Sequence, residues 1–487
     1  MNKKINHIPL SIPSHLLLAL LVLVLSMLLL VGCGGSQEKP TPTPTKTPTS
    51  AVAGNVGASQ QPTVDARQQD APTILPEETP SAEEIATGDD LTPEPSTQDV
   101  PATNTPSPVA TNTPLPPSSG NVNYPVDVRS PDYGAQAFLW WRPETADRDL
   151  GIMADSGFHW VKQWFAWQDI EGAGPGIYDW SISDRVVDQV AKHNLKLLVR
   201  VSPSDQAFWA GDPPENSDAF ARFVGDMAKR YRGRIHAYQI WNEPNLAREW
   251  GNKPPDPAAY AMLLKKSYAA IKAADPNAIV ITAGMAPTTA DQAEAMYDIK
   301  FYKQLYDAMG GNSDGYFDML GIHAAGYALP PETDPADVAS DPKYYNNDPS
   351  PPERLRVYSF RHAEDIRKLM ESYGDGGKKI AILEFGWTWD DRPDSPYYWH
   401  GAGAGIDQFV QADYLVRAYQ WAEQHWPWVG IMSLIYMPDP NWTRQDEQYY
   451  WAIMDPSPPG ETHWRPAVIR LCIHMNGVEG KACKYAP

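Results

Sequence analysis

The pattern of apolar and polar positions after about residue 125 alternates between two kinds of segment. Short runs of apolar and β-branched residues, typical of buried strands, are separated by longer amphipathic stretches with helical spacing. The candidate strands are, approximately, Ala135 to Trp141, Trp160 to Phe165, Lys196 to Val201, Ala237 to Trp241, Ile279 to Ala283, Met319 to His323, Ile380 to Phe385 and Gly430 to Tyr436. The helical stretches between them include Ile182 to His193, Ser217 to Tyr231, Pro257 to Ala274 and Val357 to Tyr373.

This succession of strand–helix units predicts an α/β fold, a parallel sheet closed into a (β/α)8 TIM barrel. An open, doubly wound sheet is the alternative, although no glycine-rich phosphate loop follows the first candidate strand. The segment assigned to the barrel, 125–487, is longer than the roughly 250 residues of a typical barrel. We therefore expect the long Pro-rich loops after the sixth and seventh strands to be insertions on the active face.

The N-terminus has the pattern of an export signal. A basic segment is followed by an apolar run over 16–31, shorter than the roughly 20 residues that span a bilayer. The tetrapeptide Leu-Val-Gly-Cys that ends at Cys33 resembles a bacterial lipobox. The resemblance implies that 1–33 is a lipoprotein signal peptide and that lipidated Cys33 holds the protein to a membrane. An uncleaved anchor or an ordinary secretion signal remains the alternative.

Residues 34–124 differ in composition from everything that follows. They contain Thr-Pro repeats and acidic residues with almost no aromatic side chains, so they cannot bury enough apolar surface to fold. We expect a disordered linker that the prolines keep extended. This linker would hold the barrel domain away from the membrane.

Two cysteines remain after Cys33, and both lie near the C-terminus. An exported protein meets an oxidising compartment, so a disulfide between Cys472 and Cys483 is the expectation, with two separate thiols as the alternative. Such a short loop would contribute roughly 3 kcal/mol by chain entropy.

Charge and residue types exclude some functions. The formal net charge of -20 argues against a nucleic-acid partner, which requires clustered Lys and Arg. The His residues are scattered, without a zinc-type His or Cys spacing, so we predict neither a metal nor a cofactor. We expect a monomer.

Two glutamates end apolar runs at positions where barrel enzymes place their active sites. Glu243 ends the fourth candidate strand and Glu384 the seventh, and these strands face one another across the barrel. An ionised carboxylate is costly to bury unless its charge is used or satisfied. The pair therefore predicts an acid and a base, although two structural glutamates in ion pairs remain possible.

The motifs around these glutamates carry a family resemblance. Trp-Asn-Glu-Pro at 241–244 and Glu-Phe-Gly-Trp at 384–387, supported by the region 160–199, resemble clan A retaining glycoside hydrolases of the cellulase-like family 5 and β-xylosidase-like family 39 type. The resemblance implies that Glu243 is the acid/base, Glu384 the nucleophile and Asn242 a partner of the sugar 2-hydroxyl. Retention requires the two carboxyls to lie about 5 to 5.5 Å apart.

Further candidates for substrate binding lie at other strand ends and in the loops. His323 is either a site residue or a core histidine whose hydrogen bonds are satisfied. Arg200 is either a site residue or part of a structural salt bridge. Aromatic rings on which sugars stack could come from Trp387, Trp164, Tyr327 and Tyr436, although many of the tryptophans must be ordinary core. Many family members carry Trp at strand eight, where this chain has Tyr436, which leaves the sugar open.

The sequence therefore predicts an extracellular, membrane-anchored glycosidase that degrades β-linked polysaccharides or oligosaccharides. A transglycosylase would use the same two glutamates, and a carbohydrate-binding lipoprotein without turnover would need neither. Linkage and endo or exo action depend on loop shapes that the catalytic pair does not reveal.

Overall fold

The computed structural model describes residues 124–203, 210 and 216–486. The predicted signal peptide, Cys33 and the predicted linker up to residue 123 lie outside the described residues. Within the described part of the chain, none of the helices has both the length and the apolar character needed to cross a membrane.

Eight parallel strands form one sheet in the order β5-β4-β3-β2-β1-β8-β7-β6. Their bounds are β1 Asp132–Gln136, β2 Trp160–Ala166, β3 Lys196–Ser202, β4 Ala237–Ile240, β5 Ile279–Thr282, β6 Leu320–Ala325, β7 Ile380–Gly386 and β8 Val429–Leu434. The sheet curls until its outer strands meet, where a parallel bridge joins Ile281 of β5 to Met319 just before β6. The predicted (β/α)8 barrel is confirmed, and the open doubly wound sheet is excluded.

Helices follow the strands on the outside of the barrel. They are α1 Pro143–Ser156, α2 Trp167–Glu171, α3 Ser181–Lys192, α4 Ser217–Arg230, α5 Pro257–Ala274, α6 Asp298–Ala308, α7 Pro352–Leu355, α8 Ala363–Ser372, α9 Gln408–His425, α10 Glu447–Trp451 and α11 Pro466–Val478. Cys472 of α11 is joined to Cys483 by a disulfide, with 5.4 Å between the two Cα atoms. The bridge ties the C-terminal tail to this helix.

Two predicted elements differ from the observed ones. The first strand ends at Gln136 instead of Trp141, because the aromatic residues after it leave the sheet and enter the loop at its carboxyl end. The helix predicted over Val357 to Tyr373 is continuous only as α8. Before α8 the chain makes short 3-10 turns that extended Ser359 interrupts, and its hydroxyl donates to the Thr333 carbonyl at 2.6 Å.

Alternation along each buried strand decides which side chains reach the barrel interior. In β3, Leu197, Val199 and Val201 belong to the apolar layer beneath the helices, whereas Leu198 belongs to the interior cluster. Arg200 is two residues after Leu198, so it lies on the same inward face, closer to the carboxyl end of the strand. The same alternation brings the polar residues of other strands to this end of the interior.

A buried histidine joins the long segment after β6 to the outer helices. His362 Nε2 lies 3.0 Å from Asp298 of α6, and Nδ1 lies 3.1 Å from Asp365 of α8. Burial alone lowers the pKa of His362, but the two carboxylates outweigh it and raise this pKa to about 9. Arg356 also binds Asp365, at 2.6 Å. The histidine is therefore held in its charged form at neutral pH.

This network predicts a pH-dependent contribution to stability. An unfolded histidine titrates near 6.5, so the raised folded pKa stabilises the protein by about 3 kcal/mol below that pH, and this is lost as pH rises through about 9. The difference in unfolding free energy between the native protein and His362→Gln should shrink by that amount between pH 6 and 10, measured by urea unfolding. A difference independent of pH would contradict the assignment.

Candidate active site

Two glutamates and a histidine meet at the carboxyl ends of the strands. Glu243 follows β4, Glu384 lies in β7 and His323 lies in β6, and each is almost completely buried. One carboxylate oxygen from each glutamate and one ring nitrogen of the histidine lie within 4.8 Å of one another. The structure thus brings together the two residues that sequence reasoning expected to carry the chemistry.

Glu384 reaches the interior because β7 contains an irregularity. Simple alternation would place it on the same face as Ile380 and Ile382, which pack in the outer apolar layer. The register against β6 shifts, so that Ile322 pairs with Ile382 but the next residue, His323, pairs with Glu384. The extra residue, Leu383, re-aims the following side chain, as β-bulges near active sites commonly do.

Glu243 is positioned by a strained turn at the end of β4. Both Trp241 and Glu243 have positive φ, 73° and 38°, a region that residues with a Cβ rarely adopt. The Glu243 amide donates to the Gly284 carbonyl at 3.1 Å. Just beyond, the Asn245 side chain donates to the carbonyl of Ala286 at 2.9 Å and accepts from its amide at 2.9 Å. These bonds hold the turn against the loop that follows β5.

Lys162 of β2 forms a buried ion pair with Glu384. Its Nζ donates to Glu384 Oε1 at 2.8 Å and to the Leu383 carbonyl at 3.1 Å. Burial alone raises the pKa of Glu384. The charge of Lys162, aided by those of His323 and Arg200, outweighs burial and lowers this pKa well below the usual range of a glutamate. Glu384 is therefore held as a carboxylate.

Burial and pairing also act in opposite directions on the pKa of the lysine. Burial lowers the pKa of Lys162, and the carboxylate of Glu384 opposes that shift. Only 1% of the lysine side chain and 4% of the glutamate side chain are exposed. Each group is thus stable as an ion chiefly because the other is present.

His323 contacts the other glutamate more closely. Its Nδ1 lies 2.9 Å from Glu243 Oε1 and 3.9 Å from Glu384 Oε2. The ring passes directly over Gly284, where an added Cβ would lie 2.2 Å from His323 Cδ2. A glycine is therefore required at 284 for the histidine to occupy this position. Among the described residues, neither His323 Nε2 nor Glu243 Oε2 has a hydrogen-bond partner.

Asn242 and Arg200 also lie in the buried interior at this end of the barrel. Asn242 Oδ1 accepts from Gln239 Nε2 at 3.3 Å, while its Nδ2 has no partner among residues in the described ranges. Arg200 lies 3.9 Å from Glu249 and stacks on the Trp164 ring at 4.8 Å from the ring centroid. Its charge contributes to the lowered pKa of Glu384.

The four candidate aromatic residues fall into two groups. Tyr436 follows a cis peptide bond after β8, and its ring packs against partly exposed Phe138 and Trp442, with centroids 5.9 and 5.6 Å away. Trp164 packs similarly against partly exposed Trp141, at 5.7 Å. These rings lie beside the loops after β1, β2 and β8.

Trp387 and Tyr327 lie in packed apolar surroundings. Trp387 is fully buried and donates its Nε1–H to the Leu329 carbonyl at 2.8 Å. Tyr327 donates to the Pro287 carbonyl at 2.9 Å and packs against Tyr358. Through these contacts both rings support the loop after β6.

Sequence reasoning gave no role to Lys162, Phe138, Trp141 or Trp442. A signal for the lysine existed, because it alternates with Trp160 and Trp164 on the inward face of β2, where a lone cation requires a partner. The aromatic residues after β1 carried no such signal, since they were included in the predicted strand.

The two glutamates and His323 also have the spacing of a metal site. The charges around them do not suit a cation, because Lys162 lies 2.8 Å from Glu384 and Arg200 acts on the same carboxylate. These groups compete for the negative charge that a metal would use. The arrangement fits acid–base and nucleophilic chemistry better than metal binding.

No family model and no curated protein matches the sequence. Among solved structures, the chain is similar to a family 39 glycoside hydrolase from Bacteroides cellulosilyticus WH2, with 16% identity, 74% of this chain and 65% of that chain covered, and a TM-score of 0.50. It is also similar to the exo-β-1,4-mannosidase Op5Man5 from Opitutaceae bacterium strain TAV5, with 16% identity, 74% and 62% covered, and a TM-score of 0.47.

The first comparison confirms, at the level of the fold, the resemblance read from the sequence motifs. This chain and a solved glycoside hydrolase share the barrel, and the chain spans 65% of that protein's length. At 16% identity the likeness extends to the fold and leaves activity and substrate to be argued from the site itself.

The buried ion pair predicts that Lys162→Met strongly lowers the free energy of unfolding, by an amount that depends on pH. Removing the lysine leaves Glu384 buried and unpaired, which should cost about 3–5 kcal/mol of unfolding free energy at pH 7. The loss should shrink as pH falls towards 4, because the unpaired carboxyl can then take up a proton. Urea unfolding across this pH range provides the measurement.

The matched control is Lys162→Met combined with Glu384→Gln. The double variant contains no unpaired carboxylate, so it should recover much of the stability that Lys162→Met loses. Stability losses that simply add in the double variant would show that the two side chains are not coupled.

Proposed function

We propose that the protein is a retaining glycoside hydrolase that cleaves O-glycosidic bonds in β-linked polysaccharides or oligosaccharides. The observation that carries the proposal is the approach of Glu243 and Glu384. One carboxylate oxygen of each lies within 4.8 Å of the other. Retaining enzymes need carboxyls about 5–5.5 Å apart, whereas inverting enzymes leave about 6.5–9.5 Å for a water. The observed spacing favours direct attack by one glutamate.

The charges around the two glutamates support different roles for them. Glu384 is paired with Lys162 and remains ionised, as a nucleophile must. Glu243 contacts His323, and its Oε2 has no partner among the described side chains. This oxygen can carry a proton towards a leaving group. The electrostatic asymmetry thus supports Glu243 as acid/base and Glu384 as nucleophile.

In the first step the Glu384 carboxylate attacks the anomeric carbon, and the bond from that carbon to the leaving oxygen breaks. Glu243 donates its proton to that oxygen, so the leaving group departs as a neutral hydroxyl. Once Glu384 is bound to the sugar its negative charge is gone, and the proton affinity of Glu243 falls. Glu243 can now serve as a base.

In the second step Glu243 removes a proton from a water, whose oxygen forms a bond to the anomeric carbon. The bond between that carbon and Glu384 breaks, and the carboxylate returns to Lys162. His323 holds the acid/base through its bond to Oε1. Asn242 Nδ2, unpartnered among the residues described, is the donor we assign to the sugar 2-hydroxyl.

We also propose that the enzyme works outside the cell, attached to the membrane by lipidated Cys33. Support for this comes from the sequence alone, through the apolar run over 16–31 and the lipobox-like tetrapeptide. The Thr-Pro-rich segment would give the barrel reach towards an insoluble or bulky polysaccharide.

The proposed roles predict different defects for the two alanine variants of the full-length chain. Glu384→Ala should abolish hydrolysis of aryl β-glycosides, and of β-glucan, xylan and mannan. Glu243→Ala should slow substrates with poor leaving groups by roughly 10²–10⁴ but retain slow turnover of activated aryl glycosides, which azide should rescue. Equal and complete loss in both variants would argue against these roles. Saturable sugar binding with no turnover by the unsubstituted protein would favour a binding lipoprotein.

The anchoring proposal has a separate test. In a bacterial host, Cys33→Ser should shift the protein from the membrane fraction to the soluble exported fraction, because the acylated side chain is lost. The fractionation is followed by immunoblotting, with Cys472→Ser as the control for loss of a cysteine elsewhere. Retention of Cys33→Ser in the membrane would point to an uncleaved apolar anchor.

A further inference from the structure

Lys162 of β2 interacts with both glutamates of the candidate active site. Its Nζ lies 2.8 Å from Glu384 Oε1 and 3.1 Å from the Leu383 carbonyl, and only 1% of its side chain is exposed. Burial lowers the pKa of this lysine, whereas the charges of Glu384 and, more weakly, of Glu243 raise it. A lysine buried this completely keeps its charge only while a carboxylate lies nearby.

The other charged and titratable groups around Lys162 and Glu243 come from several elements. They are Glu384 of β7, Arg200 of β3, His323 of β6, Tyr302 of α6 and Tyr436 after β8. Burial raises the pKa of both tyrosines well above 10, so each is neutral at pH 7. Arg200 lies 3.9 Å from Glu249, which gives the arginine a carboxylate outside the pair. Lys162 therefore depends on the two glutamates for its counter-ion.

The proposed first step removes one of these two counter-ions. In the resting site the ammonium of Lys162 balances the carboxylate of Glu384, while Glu243 carries a proton. When Glu384 bonds to the anomeric carbon its negative charge disappears, which alone would leave a buried and uncompensated ammonium. In the same step Glu243 gives its proton to the leaving oxygen and becomes a carboxylate. The net charge of the site is unchanged, but the anion has moved from Glu384 to Glu243.

We propose that Lys162 is a counter-ion that the two glutamates share in turn, balancing Glu384 in the resting enzyme and Glu243 in the glycosyl-enzyme. In the second step it acts as a positioning residue, because its charge keeps Glu243 ionised until this carboxylate takes a proton from water. The bond between Glu384 and the sugar then breaks, its electron pair stays on Glu384, and the ammonium balances Glu384 again. This inference rests on the proposed hydrolase function.

The competing outcome is that Lys162 loses its proton once Glu384 is an ester. Burial favours this loss, because it lowers the pKa of the lysine. A neutral lysine would give Glu243 no support, and Lys162 would then act on the nucleophile alone. The two outcomes differ only in the glycosyl-enzyme, so the test has to examine that state.

The test follows release of the sugar from the trapped glycosyl-enzyme of the full-length chain. The probes are 2,4-dinitrophenyl 2-deoxy-2-fluoro-β-glucoside and the corresponding xyloside and mannoside, whose fluorine slows release enough to isolate the intermediate. The return of activity is then measured against pH. Because Glu384 is an ester in this state and cannot titrate, the acid limb of the release rate reports the base and its surroundings.

Lys162→Gln retains a hydrogen-bond donor for Glu384 but removes the charge. We expect it to move the acid limb about one pH unit higher, because Glu243 loses a nearby cation that favours its ionised form. At a given pH on that limb, release should be roughly tenfold slower than in the native chain. Lys162→Arg, which retains a cation, should leave the limb close to its native position.

Lys378→Met is the matched control for the loss of a buried lysine. The Lys378 side chain is 9% exposed and lies 3.7 Å from Asp375, before the amino end of β7 and therefore far from Glu384 along the strand. This variant should lose stability without moving the acid limb. An unmoved limb in Lys162→Gln, or an equal movement in Lys378→Met, would overturn the shared counter-ion.

A second measurement does not require Lys162→Gln to fold. In the unsubstituted chain labelled with 15N-lysine, the Nζ signal of Lys162 is assigned by its absence from Lys162→Arg. We expect this signal to remain that of an ammonium group after the intermediate is trapped, from pH 6 to 8. Conversion to the signal of a neutral amine would overturn the proposal.

Failure of this inference and failure of the hydrolase proposal give different results. An intermediate that forms on Glu384 and releases its sugar with a pH dependence independent of Lys162 would leave the hydrolase standing and remove the shared counter-ion. A folded chain that neither turns over dinitrophenyl β-glycosides nor becomes labelled at Glu384 would remove both.

Discussion

The buried ion pair between Lys162 and Glu384 is the interaction on which the candidate site depends. A carboxylate with 4% exposure is tolerated at the end of β7 because an ammonium group lies 2.8 Å away, and the ammonium is tolerated for the same reason. The pair can form only if β2 and β7, which β1 and β8 separate in the sheet, present these side chains to a common interior, and the curling of the sheet into a barrel provides that interior. Closure of the sheet and ionisation of the nucleophile candidate are therefore linked.

Strand parity explains how polar groups from several strands converge. Lys162 and Arg200 are inward residues of β2 and β3, placed there by the same alternation that directs their neighbours to the helices. Glu384 is an exception to this alternation, because the register shift at Leu383 turns it inward. Gly284 gives His323 the space to lie against Glu243. Each of these features is local, and together they position the polar side chains at the same end of the barrel interior.

The sequence was most informative where packing alone decides the structure. Strands buried on both faces appear as continuous apolar runs, so their positions and the barrel they form could be predicted. The error at β1 arose because Phe138 to Trp141 have high strand propensity but serve as loop aromatics. The bulge at Leu383 has no sequence signature of its own, since it is defined by pairing with β6. The ion pair likewise depends on which residues lie opposite one another across the interior.

Two carboxylates this close cannot both be ionised without support, because each raises the proton affinity of the other. Symmetric surroundings would leave open which of them carries the proton. Here Lys162 and Arg200 act on Glu384, and His323, which also acts on Glu384, is the nearest partner of Glu243. In the proposed mechanism, the division between nucleophile and acid therefore depends on the cations of β2 and β3 as well as on the two motifs that contain the glutamates.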